Sequence, residues 1–165
     1  MPERKTIERA QRDKRKGKAP STQAGEFVRE EMEHIREGKH GARSAAQAVA
    51  IGLSKARRSG VELPAPRKGK TSATTRRKAR RDLAAGQRRK GRPAVRRSRA
   101  VKAALRRESR SAASKKALAR QARSAARRRP ASERSASARK AARTKTPAGR
   151  SRAAHKAART RTQHR

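Results

Sequence analysis

Residues 21–63 read STQAGEFVREEMEHIREGKHGARSAAQAVAIGLSKARRSGVEL. This stretch holds the only Phe of the chain, Phe27, one of its two Met, Met32, and more than half of its branched aliphatics. Elsewhere Lys, Arg, Ala and Ser predominate, so this is the segment with side chains large enough to build a core. Ala24, Val28, Met32 and Ile35, with Phe27 beside them, recur at helical spacing and predict a helix over 22–37. Ser21 reads as its N-cap, and Gly38 and Gly41 as its stop. Ser44-x-x-Gln47 is a capping box that opens a second helix over 45–58. In that helix Ala45, Ala48, Val49, Gly52, Leu53 and Ala56 form a stripe of mostly small residues that a neighbouring helix can approach closely. Lys55, Arg57 and Arg58 fill its last turn, and Gly60 follows as a C′ residue. The short connection predicts a small helical hairpin, with Val61 and Leu63 folding back over it.

The totals limit how much more can fold. The chain has 165 residues, 52 Lys+Arg against 12 Asp+Glu, a net charge of +40, no Trp or Tyr and 31% hydrophobic residues. Such a composition has little apolar surface with which to offset the entropy of ordering. The charge is also unevenly spread. Residues 1–64 carry 15 Lys+Arg and 9 acids, whereas residues 65–165 carry 37 Lys+Arg and only Asp82, Glu108 and Glu133. Pro64-Ala65-Pro66 marks the change and favours extended backbone.

The expected fold class is all-α: a hairpin of helices at about 22–37 and 45–58, followed by a long, largely disordered or weakly helical Arg/Lys/Ala/Ser tail. The expected domains are a basic N-terminal segment at 1–20, a hairpin mini-domain at 21–64 and a polycationic tail at 65–165. Residues 3–16 read as a polar helix that needs docking, because Ile7 and Ala10 are its only apolar residues. Within the tail, helix is expected between residues 71 and 83 and between 93 and 129. It is weakened there by repulsion between like charges at i, i+4.

The tail carries the chemistry. Lys and Arg that neutralise phosphates release condensed counterions, which gives affinity without sequence preference. Arg outnumbers Lys, 36 to 16, and its guanidinium can grip phosphate bidentately. The expected DNA contacts are Lys55, Arg57, Arg58, Arg76, Arg77, Lys78, Arg88, Arg89, Arg92, Arg127, Arg128 and Arg129. Arg88-Arg89-Lys90-Gly91-Arg92-Pro93 looks like an AT-hook, an extended Gly-Arg-Pro reader of narrow A·T minor grooves. Ser98, Ser109, Ser132 and Thr144 lie near Arg clusters, where phosphorylation would subtract charge.

Glu30, Glu33, His34 and Glu37 share one helical face and read as solvated. Glu31-x-x-His34 has metal-ligand spacing, but no second ligand set accompanies it, and His40, His155 and His164 stand alone. No Ser/His/Asp arrangement, phosphate loop or Cys motif occurs in a foldable context. No catalytic residue, metal, cofactor or small-molecule substrate is therefore expected. The absence of Cys excludes disulfides and fits a reducing compartment. The chain lacks a long apolar run and its first 18 residues lack an apolar h-region, so neither a membrane span nor a secretory signal is expected.

The segment containing QAVAIGLSKAR, with the Glu-Gly-Lys turn before it, resembles a family of small basic bacterial proteins that share a QAIAIGLSKAR-like helix over about the first 65 residues. The resemblance implies a bacterial, basic, DNA-associated protein and brings no established activity. The tail is similar in composition to the C-terminal tails of linker histones and bacterial histone-like proteins, although Arg here replaces much of their Lys.

The sequence thus points to a non-enzymatic, histone-like, nucleoid-associated protein of the cytoplasm. DNA is the preferred partner, RNA is the alternative polyanion, and self-association through the hairpin is the role open to the folded piece. The other alternative is a helical protein-interaction module anchored by its basic tail.

Overall fold

A computed structural model of the chain describes residues 2–88, 95–144 and 146–163. All regular structure among them is helical: α1 Arg4–Arg15, α2 Pro20–Arg36, α3 Ala45–Arg58, α4 Ala73–Gln87, α5 Val95–Arg106, a 3₁₀ turn at Arg110–Ala113, α6 Lys115–Arg127, α7 Ala131–Thr144 and α8 Pro147–Gln163. The chain forms two compact units, residues 1–121 and 122–165.

Helix α2 starts at Pro20 rather than near Thr22. Pro20 occupies the N1 position and Ala19 the N-cap, so Ser21 lies inside the first turn. A proline fits there because its missing N–H would have no helical partner. At the other end Glu37 is the C-cap and Gly38 follows with φ +80°, as the sequence predicted. Helix α3 opens on Ser44, whose Oγ accepts from the Gln47 amide at 3.2 Å. The Gln47 side chain closes the box one residue early, accepting from the Arg43 amide at 2.8 Å.

The core of unit 1 lies between α2 and α3 and falls into two clusters. One joins Phe27 and Ala24 of α2 with Ala56 of α3, Ala10 of α1 and Val61. The other joins Met32 and Ile35 of α2 with Ala48 of α3, Ala42, and Ala112 and Ala113 of the 3₁₀ turn. Contact partners therefore appear in opposite order along the two helices. Midway between the clusters, a Cβ on Gly52 would lie 2.7 Å from the Cα of Val28. That glycine lets the two backbones meet, and alanines supply most of the remaining contact.

The two helices do not stand as a hairpin on their own. Helix α1 docks on α2, burying Thr6, Ala10 and Asp13 along one face, and Arg9 Nε donates to Glu26 Oε2 at 2.7 Å. Helix α4 packs on α3: Ala79 is buried, Ser54 Oγ donates to Asp82 Oδ2 at 2.7 Å, and Gly86 sits against the carbonyl of Arg57. The 3₁₀ turn packs on both α2 and α3. It is tied to the 37–44 loop by Ala42 N–H donating to Ser109 O at 3.0 Å, while Arg36 Nε donates to Ala113 O at 3.1 Å.

The expectation of a largely disordered or weakly helical tail is therefore corrected. Described residues after Pro64 are mostly helix, and several of them enter the packing of unit 1. Apart from Leu118, which packs against the Met32–Ile35 cluster, these contacts are made mainly by small residues and backbone carbonyls, so hydropathy reveals little of them.

Unit 2 is built differently. Thr146 caps α8, with the Gly149 amide donating to Thr146 Oγ1 at 3.2 Å, and Pro147 takes the first helical position. Arg129 Nη2 donates to Ser137 Oγ at 3.1 Å, and Arg150 Nη1 donates to Ala142 O at 2.8 Å. No buried residue occurs among those whose exposure is described.

Candidate nucleic-acid interface and a buried polar cluster

The sequence-chosen contact residues divide by environment. On α3, Arg58 is exposed, but Arg57 is only 7% exposed. Its Nε donates to Leu63 O at 3.1 Å and its Nη2 to Pro64 O at 3.3 Å, bracing the chain where it leaves the helix. Burial pulls the Arg57 pKa down from its ordinary value, and nearby Asp82 opposes that shift. Lys55 also turns inward, with its ammonium against Glu31 Oε2 and 3.6 Å from Glu30 Oε1. On α4, Arg77 and Lys78 are exposed and Arg76 is half-buried. Arg88 is exposed after α4, and the rest of the AT-hook-like motif, Arg89, Lys90, Gly91, Arg92 and Pro93, lies outside the described residues.

In unit 2, Arg127, Arg128 and Arg129 are exposed at and after the end of α6. Arg128 Nη2 donates to Ser124 Oγ at 3.0 Å, and Arg129, just before α7, lies 3.8 Å from Glu133 in its first turn. Residues 122–165 contain 15 Lys+Arg and one acid, Glu133. The basic side chains described there are exposed and decorate helices without a core.

Of the face expected to be solvated, Glu33 and Glu37 do reach solvent, but Glu30 and most of His34 do not, and Glu31 beside them is buried too. Glu30 is 1% and Glu31 0% exposed. The helical pattern accounts for this, because Glu31 lies four residues from both Phe27 and Ile35 and so falls on the buried stripe. His40 does not stand alone either: its Nε2 is 3.3 Å from Glu31 Oε1. His34 Nε2 lies 2.8 Å from Glu3 Oε1, and its Nδ1 lies 3.9 Å from Glu30 Oε1. Glu3 also pairs with Lys39 at 3.2 Å. The His34 hydrogen bond, followed by the contacts with Lys39, holds the Glu3 carboxyl down at about 2. Pairing with Glu37, then with Glu3, raises the Lys39 ammonium above its ordinary value.

One cationic side chain, Lys55, thus inserts between two buried carboxylates, with two imidazoles at their edge. Neither oxygen of Glu31, nor Glu30 Oε1, has an aligned hydrogen bond among the described residues. Beside them opens a pocket of about 360 Å³, into which Glu31, His34, His40, Lys39 and Lys55 bring polar groups from the α2–α3 side and Lys102 and Arg106 from α5, with Ile51 and Leu105 adding apolar wall.

No protein family matches the chain, and neither a curated protein nor a solved structure is significantly similar to it.

Proposed function

We propose that the protein is a non-enzymatic, histone-like DNA-binding protein of the nucleoid that neutralises and bridges phosphates with little sequence preference. The observation that carries this reading is the exposed polycation of residues 122–163, in which Glu133 is the single acid. Exposed cationic side chains with no core to fill and little opposite charge around them can line up against a polyanion. Duplex DNA is favoured over single-stranded RNA because there is no Trp or Tyr and the one Phe is 1% exposed, so no aromatic platform of that kind meets solvent for base stacking. Among the described residues no helix is long and apolar enough to cross a membrane.

Salt-titrated binding to duplex DNA and to structured RNA of equal length tests the reading. Replacing Arg139, Arg143, Arg152, Lys156, Arg159 and Arg161 together by Gln should flatten the log K against log salt line. The loss is about 0.9 per phosphate contact removed, so up to roughly five in all. Any one of these substitutions alone should matter little, because the contacts are interchangeable. Tighter binding to RNA at raised salt would overturn the DNA assignment, and an unchanged slope in the sixfold variant would overturn the role of this unit.

A further inference from the structure

We propose that Glu31, His34 and His40 form a binding site for a divalent transition-metal ion of the zinc class. Each offers one ligand atom, and the three atoms lie within 4.8 Å of one another. Two imidazoles and one carboxylate, with a fourth position left open, are a donor set that zinc accepts. The Gly38–Gly41 turn makes the cluster, because it returns His40 to the α2 face that already carries Glu31 and His34. Gly41 permits the return: a Cβ there would collide with the carbonyl of Glu108, and the Gly41 amide donates to Leu105 O at 2.8 Å.

Three further features point to a ligand. The Glu31 side chain is fully buried, both its oxygens lack an aligned hydrogen bond, and it lines the pocket. Lys55 offsets the buried charge at Oε2, whereas Oε1 meets only the edge of His40 at 3.3 Å and is the oxygen left for a further cation of matching geometry. Both imidazoles are also oriented as metal ligands usually are, with an oxygen acceptor on the nitrogen that does not face the ion. His40 Nδ1 lies 3.0 Å from Gly41 O, leaving Nε2 toward Glu31. His34 Nε2 is engaged by the Glu3 carboxylate, which leaves Nδ1, 3.9 Å from Glu30 Oε1, as the nitrogen open to an ion. Finally, Lys55 sits where a metal would reduce the need for it. Its ammonium touches Glu31, and Glu30 lies 3.6 Å away as an alternative partner once an ion takes Glu31. The pocket is also lined by Lys39, Lys102 and Arg106, so its potential favours an anion over neutral water at the fourth position.

The site does not depend on the DNA reading, and it is tested on the full-length protein without nucleic acid. Zinc titration followed by calorimetry should give one site per chain, and cobalt should give the strong visible absorption of a four-coordinate ion. His40→Ala and Glu31→Gln should each weaken zinc binding by at least about tenfold. In unsubstituted protein, imidazole ¹⁵N spectra should show zinc shifting His34 and His40 while His155 and His164 stay put. That measurement needs no variant to fold. Lys55→Gln should be less stable than the parent without metal and should gain more in Tm from zinc than the parent does, because the ion replaces the missing charge. An absence of one-to-one binding, zinc shifts confined to His155 or His164, or equal affinity in parent, His40→Ala and Glu31→Gln would each overturn the assignment.

Discussion

At the scale of single residues, the molecule depends on side chains that are small or misplaced by ordinary hydropathy. Gly52 is the sharpest case. A methyl group there would press on the Val28 backbone at 2.7 Å and on its Cγ2 at 3.0 Å, with no flexible side-chain end to yield. Gly52→Ala should therefore destabilise unit 1 by roughly 1–3 kcal/mol, despite the better helix propensity of alanine. Urea unfolding followed by circular dichroism measures this, and a neutral result would mean that the helices do not cross so closely. The apolar positions Phe27, Met32 and Ile35 were legible from their spacing alone. Glu31 was not, although its register places it on the same stripe. A charged residue on a buried stripe contradicts the usual pattern, and only the arrival of Lys55 and His40 from elsewhere in the chain makes its burial tolerable. The sequence gives no local sign of that arrival.

At the scale of elements, α2 and α3 were readable because each carries its own periodicity, cap and stop. Boundaries shifted by a residue or two where Pro20, rather than Ser21, set the start. Helix α4 was foreseen as a segment of weak helix but not as a packed one, since its attachment rests on Ala79, Gly86 and a single Ser54–Asp82 hydrogen bond. Asp82→Ala should accordingly release α4 first. Amide exchange over 73–87 is expected to speed up by an order of magnitude or more, corresponding to about 1–3 kcal/mol for the stranded partner, while α2 exchange stays near the parent rate. Equal acceleration in both helices would show that α4 and α2 unfold as one unit. The cap of α3 gives a second handle. Ser44→Ala should cost about 1 kcal/mol, read as a lower midpoint in the same urea titration.

At the scale of the whole molecule, charge organises what hydrophobicity does not. The change at Pro64 was plain in the sequence, and it correctly marks where acids become scarce. It misled on order, because the same Ala-rich, Arg-rich composition serves both helices that pack, such as α4, and helices without buried side chains, such as α8. The two kinds should differ in dynamics. Backbone hydrogen bonds in α7 and α8 have no buried apolar layer over them, so their amides should exchange far faster than those of α2, and a short DNA duplex should slow them selectively. Protection of α7 and α8 equal to that of α2 without DNA would reveal a packing partner for unit 2.

The burial of Phe27 has one more consequence. Apart from four imidazoles the chain has no other aromatic ring, and this one is enclosed by Ala24, Ala56, Ala10 and Val61. Its ring current falls on methyl groups from three helices and the segment that follows α3. The protein therefore carries a built-in spectroscopic label at the junction of its core. The upfield-shifted methyl resonances of those neighbours give a residue-specific record of assembly in an otherwise crowded spectrum, with no probe attached.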